Sequence, residues 1–250
     1  MAGEVNQGRI TRWLDEHQRG SSKRSTIVFS VYAMLAAFST YFCMYAFRKP
    51  FAVAKYNGMD FFSTGLTLKS AFLISQIIGY TISQYLGCKY CSEISRSKQS
   101  KVLVAMIVVA ELSLLAFAVL PENLKVLAIF VNGLPLGMVW GLVSRYLEGR
   151  KTAELLFAGL SCSYIVASSS VKTVGGWLME SGVPDFWMPV AIGAIFLLPY
   201  MVAVFFLNQL PLPSEEDEAS RNKRTTMNRQ DRLIFLKQFL LGMLMLMLLY

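Results

Sequence analysis

Apolar residues along this chain gather into long uncharged runs separated by short charged segments. The runs cover 27–47, 70–88, 126–144, 155–171 and 186–210, and a sixth, 102–120, carries one charge, Glu111. A helix needs ~20 mostly apolar residues to cross the hydrocarbon core of a bilayer. The pattern therefore predicts an all-α membrane protein with six spanning helices, and residues 233–250 read as the start of a seventh. Closed β-barrels, the other way to span a membrane, would alternate apolar and polar positions, and no such alternation is present. The polar first 26 residues are followed by no cleavage site of small residues, so the first run reads as a retained helix and not a signal peptide.

Composition agrees with the pattern. Of the 250 residues 54% are hydrophobic and 16% charged, against about 25% charged in soluble domains. The net charge of +8 changes the picture only through its distribution. Seventeen Lys and Arg fall in alternate segments: the N-terminal tail, the loops after the second and fourth runs, and the segment after the sixth. Five (Arg48, Lys49, Lys55, Lys69, Lys125) fall on the opposite side. The positive-inside rule then predicts a cytoplasmic N-terminus. Loop charge accounts for the basicity, so nucleic acid is not an expected partner. The lipid bilayer and a small solute are.

Four segments follow: a cytoplasmic tail (1–26), a six-helix bundle (27–207), a cytoplasmic linker (208–232) and the seventh helix (233–250). The linker opens with Pro211 and Pro213, continues through an acidic run (Glu215, Glu216, Asp217, Glu218) and turns basic at Arg221, Lys223 and Arg224. It resembles the connection between two membrane halves. On that reading the chain is a fragment, and its partner is the missing C-terminal half; the alternative is a native seven-helix protein whose C-terminus ends at the far face.

Enzyme chemistry is poorly represented. The single histidine, His17, lies in the tail, which leaves no His-based metal or nucleophile site in the membrane. No cofactor is expected. Cys88 and Cys91 have C-x-x-C spacing without a second pair; they read as incidental thiols or as an acylation site.

Charges within the apolar runs are more informative, because each costs a few kcal/mol or more unless it meets protein or water. Tyr41, Tyr45 and Arg48 share one helical face at 3.6 residues per turn. With Lys49 they would form a site for an anionic oxygen group, or the two cations snorkel to outer headgroups. The apolar stretch after Pro50 allows the helix to continue past Arg48. Lys172 shares a face with Ser161 and Ser168, as a cavity wall or a snorkelling end. Glu111, near mid-membrane, is either a coupling acid or a hydrogen-bonded structural one. Gln76, Tyr80 and Gln84 form a second polar stripe, and Gly79, Ser83 and Gly87 a seam for close packing. Pro135 interrupts the fourth run and predicts a kink there.

The stretch Tyr45-Ala46-Phe47-Arg48-Lys49-Pro50-Phe51 resembles the end of the first helix in the organophosphate–phosphate antiporters of the major facilitator superfamily. Gly137-Met138-Val139-Trp140-Gly141, then Arg145 and Glu148-Gly149-Arg150-Lys151, resemble their fourth helix and the loop after it. The Arg-Lys-Pro-Phe element, the stretch 74–80 and the loop 146–150 are similar to a poorly characterised family of major-facilitator-like proteins. The resemblance spans about 41–177. It implies a twelve-helix fold of two six-helix halves and alternating access, with substrate near mid-membrane. It places Arg48 where those antiporters contact substrate phosphate, and Arg145, Glu148 and Arg150 in a gating loop. The chain departs at Ser83-Gln84, where the antiporters have a lysine, and at 87–91, where the superfamily usually has an acid.

The combined expectation is a secondary transporter of a small anionic organic solute, and not an enzyme. Arg48, Lys49, Tyr45, Tyr41, Gln84 and Lys172 would contact the solute; Glu111, Arg145, Glu148 and Arg150 would couple or gate. The alternative is a non-transporting receptor or scaffold on the same fold.

Overall fold

The computed structural model describes residues 8–20, 22–56, 58–62, 65–219 and 229–249. In chain order its helices are α1 (Arg9–Arg19), α2 (Lys23–Arg48), α3 (Leu68–Glu93), α4 (Arg96–Val119), α5 (Glu122–Leu147), α6 (Ala153–Glu180), α7 (Met188–Asn208), α8 (Glu215–Ala219) and α9 (Arg229–Leu249). The predicted linker residues Arg221, Lys223 and Arg224 lie outside the described residues.

Five helices, α2, α4, α5, α6 and α7, are long and apolar enough to cross a membrane, which fits a multi-pass membrane protein. The sequence pattern predicted six. The difference is α3, which has 26 residues but falls outside that set. Gln76 and Gln84, together with the hydroxyl side chains of Ser75, Tyr80, Thr81, Ser83 and Tyr85, dilute its apolar character. It nevertheless lies in the bundle, where it packs more extensively on α5 than any other two elements pack on each other.

Helices α2 to α7 alternate in direction between two ends. A near end gathers α1, the α3–α4 and α5–α6 turns and residues 209–217. A far end gathers residues 49–56, 58–62 and 65–67, the α4–α5 turn and the α6–α7 turn. Helix α2 is central: it packs on α6, α7 and α5 and buries Ala33, Ala37, Met44, Ala46 and Phe47 completely.

Glycine sets the α3–α5 contact. A Cβ at Gly133 would meet the Gln76 carbonyl oxygen at 2.6 Å and the Tyr80 nitrogen at 2.9 Å, and one at Gly137 would meet the Tyr80 carbonyl oxygen at 2.6 Å. On the α3 side, Gly79 faces the Phe130 carbonyl and Gly87 faces Met138. At Gly79, Gly133 and Gly137 backbone therefore meets backbone, while Gly87 makes room for the Met138 side chain; this is how membrane helices pack when apolar burial supplies no drive. Buried amides lock the same interface. Gln76 donates to Asn132 Oδ1 (2.9 Å) and to the Arg48 carbonyl (2.9 Å), and Asn132 donates to the Ala110 carbonyl of α4 (3.2 Å).

Two features depart from the sequence reading of a simple tail and simple loops. Residues 9–19 form an amphipathic helix that buries Leu14 fully. Lys125, assigned to an outer loop, is 4% exposed and donates to the Phe117 and Ala118 carbonyls at 2.6 and 3.1 Å. It supplies a cation and donors to the exposed carbonyls at the C-terminal end of α4, where both are favourable.

Candidate functional site

The candidate site begins at the last two turns of α2. Lys49 is the C-cap of this helix, and Pro50 opens a 3-10 turn over Pro50–Ala52. Pro50 has no N–H to donate to the Ala46 carbonyl, so the ladder breaks there: α2 stops at Arg48 and does not run on through the following apolar stretch. Arg48 thus occupies the last turn, where the helix dipole favours a cation. The Gln76 amide holds its carbonyl in place.

Aromatic rings surround the Arg48 guanidinium. Its central carbon lies 4.1 Å from the Tyr80 ring centroid and 5.6 Å from that of Tyr45. Tyr41 packs on Tyr45 (5.7 Å between centroids) and on Trp140 (5.0 Å), and Trp140 on Tyr164 (6.5 Å). Rings from α2, α3, α5 and α6 therefore form one chain of contacts ending at a guanidinium. Among the described residues that guanidinium has no hydrogen-bond acceptor, and the one ion pair, Arg19 with Asp15, lies elsewhere.

Lys49 and Lys172 extend the positive field. Burial, then the charges of Arg48 and Lys172, push the Lys49 ammonium below its ordinary pKa. Lys49 thus feels both other cations, and among the described residues no carboxylate is paired to any of the three. Helix α6 continues eight residues beyond Lys172, so this lysine sits within the helix and not at its end.

A cavity of about 790 Å³ lies between α3 and α5, lined by Thr81, Gln84, Met138, Trp140, Arg145 and Glu148 among others. It joins the aromatic chain at Trp140 and reaches the near end at Arg145 and Glu148. Of the residues singled out in the sequence, Tyr41, Tyr45 and Arg48 touch, Lys49 and Lys172 share their field, and Gln84, Arg145 and Glu148 line the cavity. Gln76, from the same stripe as Gln84, is buried in the interhelical lock.

Glu111 and Arg150 stand apart. The Glu111 carboxylate rests against Gly193 of α7, where any added Cβ would collide with it. Its Oε2 is buried without a hydrogen-bond partner among the described residues. Arg150 is 6% exposed and donates to the Tyr146 and Pro211 carbonyls at 3.2 and 2.6 Å; burial lowers its pKa to about 10. Arg145 donates to the Cys91 and Ile94 carbonyls at the end of α3. Both arginines therefore bind backbone carbonyls. Cys91, for its part, is buried with Sγ directed at the Met138 carbonyl, and the side chain of Cys88 lies outside the described residues.

The first residues after α7 are strapped across the near end. Arg96 donates to the Leu210 carbonyl (2.8 Å) while stacked over Tyr146 (3.7 Å). Arg150 holds Pro211, and Gln18 of α1 donates to the Leu212 carbonyl and the Asp217 carboxylate. Asp217 also accepts from the backbone N–H groups of Lys151 (2.8 Å) and Ser214 (3.0 Å). Burial alone would raise the Asp217 pKa, but these hydrogen bonds outweigh it and hold the carboxyl below its usual range.

The sequence reading did not assign Trp140, Tyr80 or Arg96 to these roles. Trp140 was visible as a tryptophan away from the headgroup level where that residue concentrates, and Tyr80 through its spacing from Gln76. Nothing in the sequence pairs Arg96 with Tyr146.

One family model matches the chain, over residues 50–250: DUF5690, described as a family of unknown function. No curated protein and no solved structure matches.

Proposed function

We propose a function from the chain's own geometry, because the chain belongs to DUF5690, a family of unknown function: it is a secondary transporter of a small organic anion, working by alternating access. The observation that carries this reading is the Arg48 guanidinium, stacked on Tyr80 with its N–H donors unclaimed by the described residues. A bare guanidinium among rings is a site for a planar oxyanion, which takes two parallel hydrogen bonds from its fork. Lys49 and Lys172 add charge, and the α3–α5 cavity gives a path from the near end. On this reading the bundle is one half of a major-facilitator-type fold, its near end is cytoplasmic, Glu111 couples protons and the Arg145–Arg150 loop gates. The residues provide binding, not bond-making chemistry.

The test is uptake of anionic metabolites into proteoliposomes containing the protein, with Arg48→Ala and Arg48→Lys beside it. Loss of uptake in both variants supports the guanidinium fork as the binding element. Wild-type uptake in both overturns it. A panel of anions that neither enters nor raises the unfolding temperature would favour the alternative, a receptor or scaffold on the same fold.

A further inference from the structure

We propose that α1 is a membrane-surface helix that binds anionic phospholipid headgroups. Helix α1 ends at Arg19 and the apolar helix α2 begins at Lys23, so three residues separate it from a membrane-spanning segment. A link of that length reaches ~10 Å when extended, which keeps α1 at the headgroup level. Its buried side is committed to the protein: Leu14 is 0% exposed, Thr11 donates to Gln209 Oε1 at 2.7 Å, and Gln18 bonds Leu212 and Asp217.

The remaining face carries Arg9, Arg12, Trp13, Glu16 and Arg19, all exposed. Arg19 is neutralised by Asp15 at 3.1 Å. Arg9 and Arg12 have no hydrogen bond or ion pair with a described residue, and Lys23 and Arg24 add two exposed cations at the start of α2. Trp13 is 43% exposed and stacked on His17 at 4.1 Å between centroids. A tryptophan beside unpaired cations, held at the surface of a bilayer, is the composition that engages anionic headgroups. A soluble acidic partner would not need the short tether to a spanning helix.

The test uses the full chain in vesicles of phosphatidylcholine mixed with phosphatidylglycerol. The Trp13 signal is taken as the fluorescence difference between the wild type and Trp13→Phe. Brominated phosphatidylglycerol is expected to quench it more than brominated phosphatidylcholine at equal mole fraction. Removing Arg9 or Arg12 as Gln is expected to reduce the headgroup preference by about fivefold each at low salt, and high salt to abolish it. Arg9→Lys with Arg12→Lys keeps the preference, which separates charge loss from misfolding. Equal quenching by the two lipids, no quenching by either, or a preference that survives the double Gln variant overturns the proposal.

Discussion

The Arg48 guanidinium lies 4.1 Å above the Tyr80 ring, joining the last turn of α2 to the middle of α3. The contact supports a half-buried cation that has no counter-ion among the described residues and leaves the edge of the guanidinium open. Cation–π pairs are worth ~0.5–2 kcal/mol, more when desolvated. Tyr80→Ala should therefore lower the unfolding free energy by about 1 kcal/mol. Tyr80→Phe should keep most of it, as read by thermal unfolding in detergent. An equal loss in both variants would mean that the phenol hydroxyl, not the ring, holds the pair.

Gly133 faces the α3 backbone with no space for a methyl group. Gly133→Ala is expected to cost about 1–3 kcal/mol through forced separation of the helices. Gly176 of α6 has nothing within 4 Å of a Cβ, and Gly176→Ala should stabilise by up to ~1 kcal/mol from helix propensity. Unfolding midpoints of the pair check both signs in one experiment.

The Gln76–Asn132 lock offers a third measurement. Asn132→Leu removes one acceptor of the Gln76 amide, which keeps the Arg48 carbonyl, and one donor to the Ala110 carbonyl, which keeps Ser113; membrane-buried hydrogen bonds of this kind are worth ~0.6–2 kcal/mol. The double variant with Gln76→Leu should cost less than the sum of the singles, since the two side chains share one bond. Additive losses would show that the amides act independently.

Asp217 makes the near-end strap pH-sensitive. Its folded pKa is depressed, so its contribution is present above the usual carboxylate range and disappears as pH falls through the lowered value. Hydrogen exchange across 210–217, corrected for intrinsic rate, should show protection falling in acid. In Asp217→Asn the protection should be weaker and flat with pH. A wild-type profile that is flat over the same range would exclude the carboxylate as the clasp.

How far the sequence reading reached follows from what a pattern can encode. Long apolar runs located α2 and α4 to α7, because length and apolarity alone decide a span. The shared face of Tyr41, Tyr45 and Arg48 follows from helical period, and the rings meet as that period requires. Pro50 set the end of α2, although the apolar residues after it pointed to a longer helix. Other features needed the fold. Lys125 counted as a loop cation until the α4 carbonyls were beside it, and α1 was concealed because its apolar stripe is three residues wide in a charged segment. Gln76 and Gln84 look alike in the sequence, but one is buried in a lock and the other lines a cavity. Only the facing helix distinguishes them.

The bare backbone contact between α3 and α5 also governs which motions are cheap. Two helices meshed carbonyl to glycine cannot slide or rotate without collision, so they travel as one plank, carrying Tyr80 and Trp140 together. Helix α6 has no such mesh: it rests chiefly on α2 and touches α5 and α7 lightly. The soft coordinate of the bundle is therefore the separation of α6 from α5, across which the Trp140 and Tyr164 rings stand 6.5 Å apart, and whatever fills that seam sets the position of a whole helix.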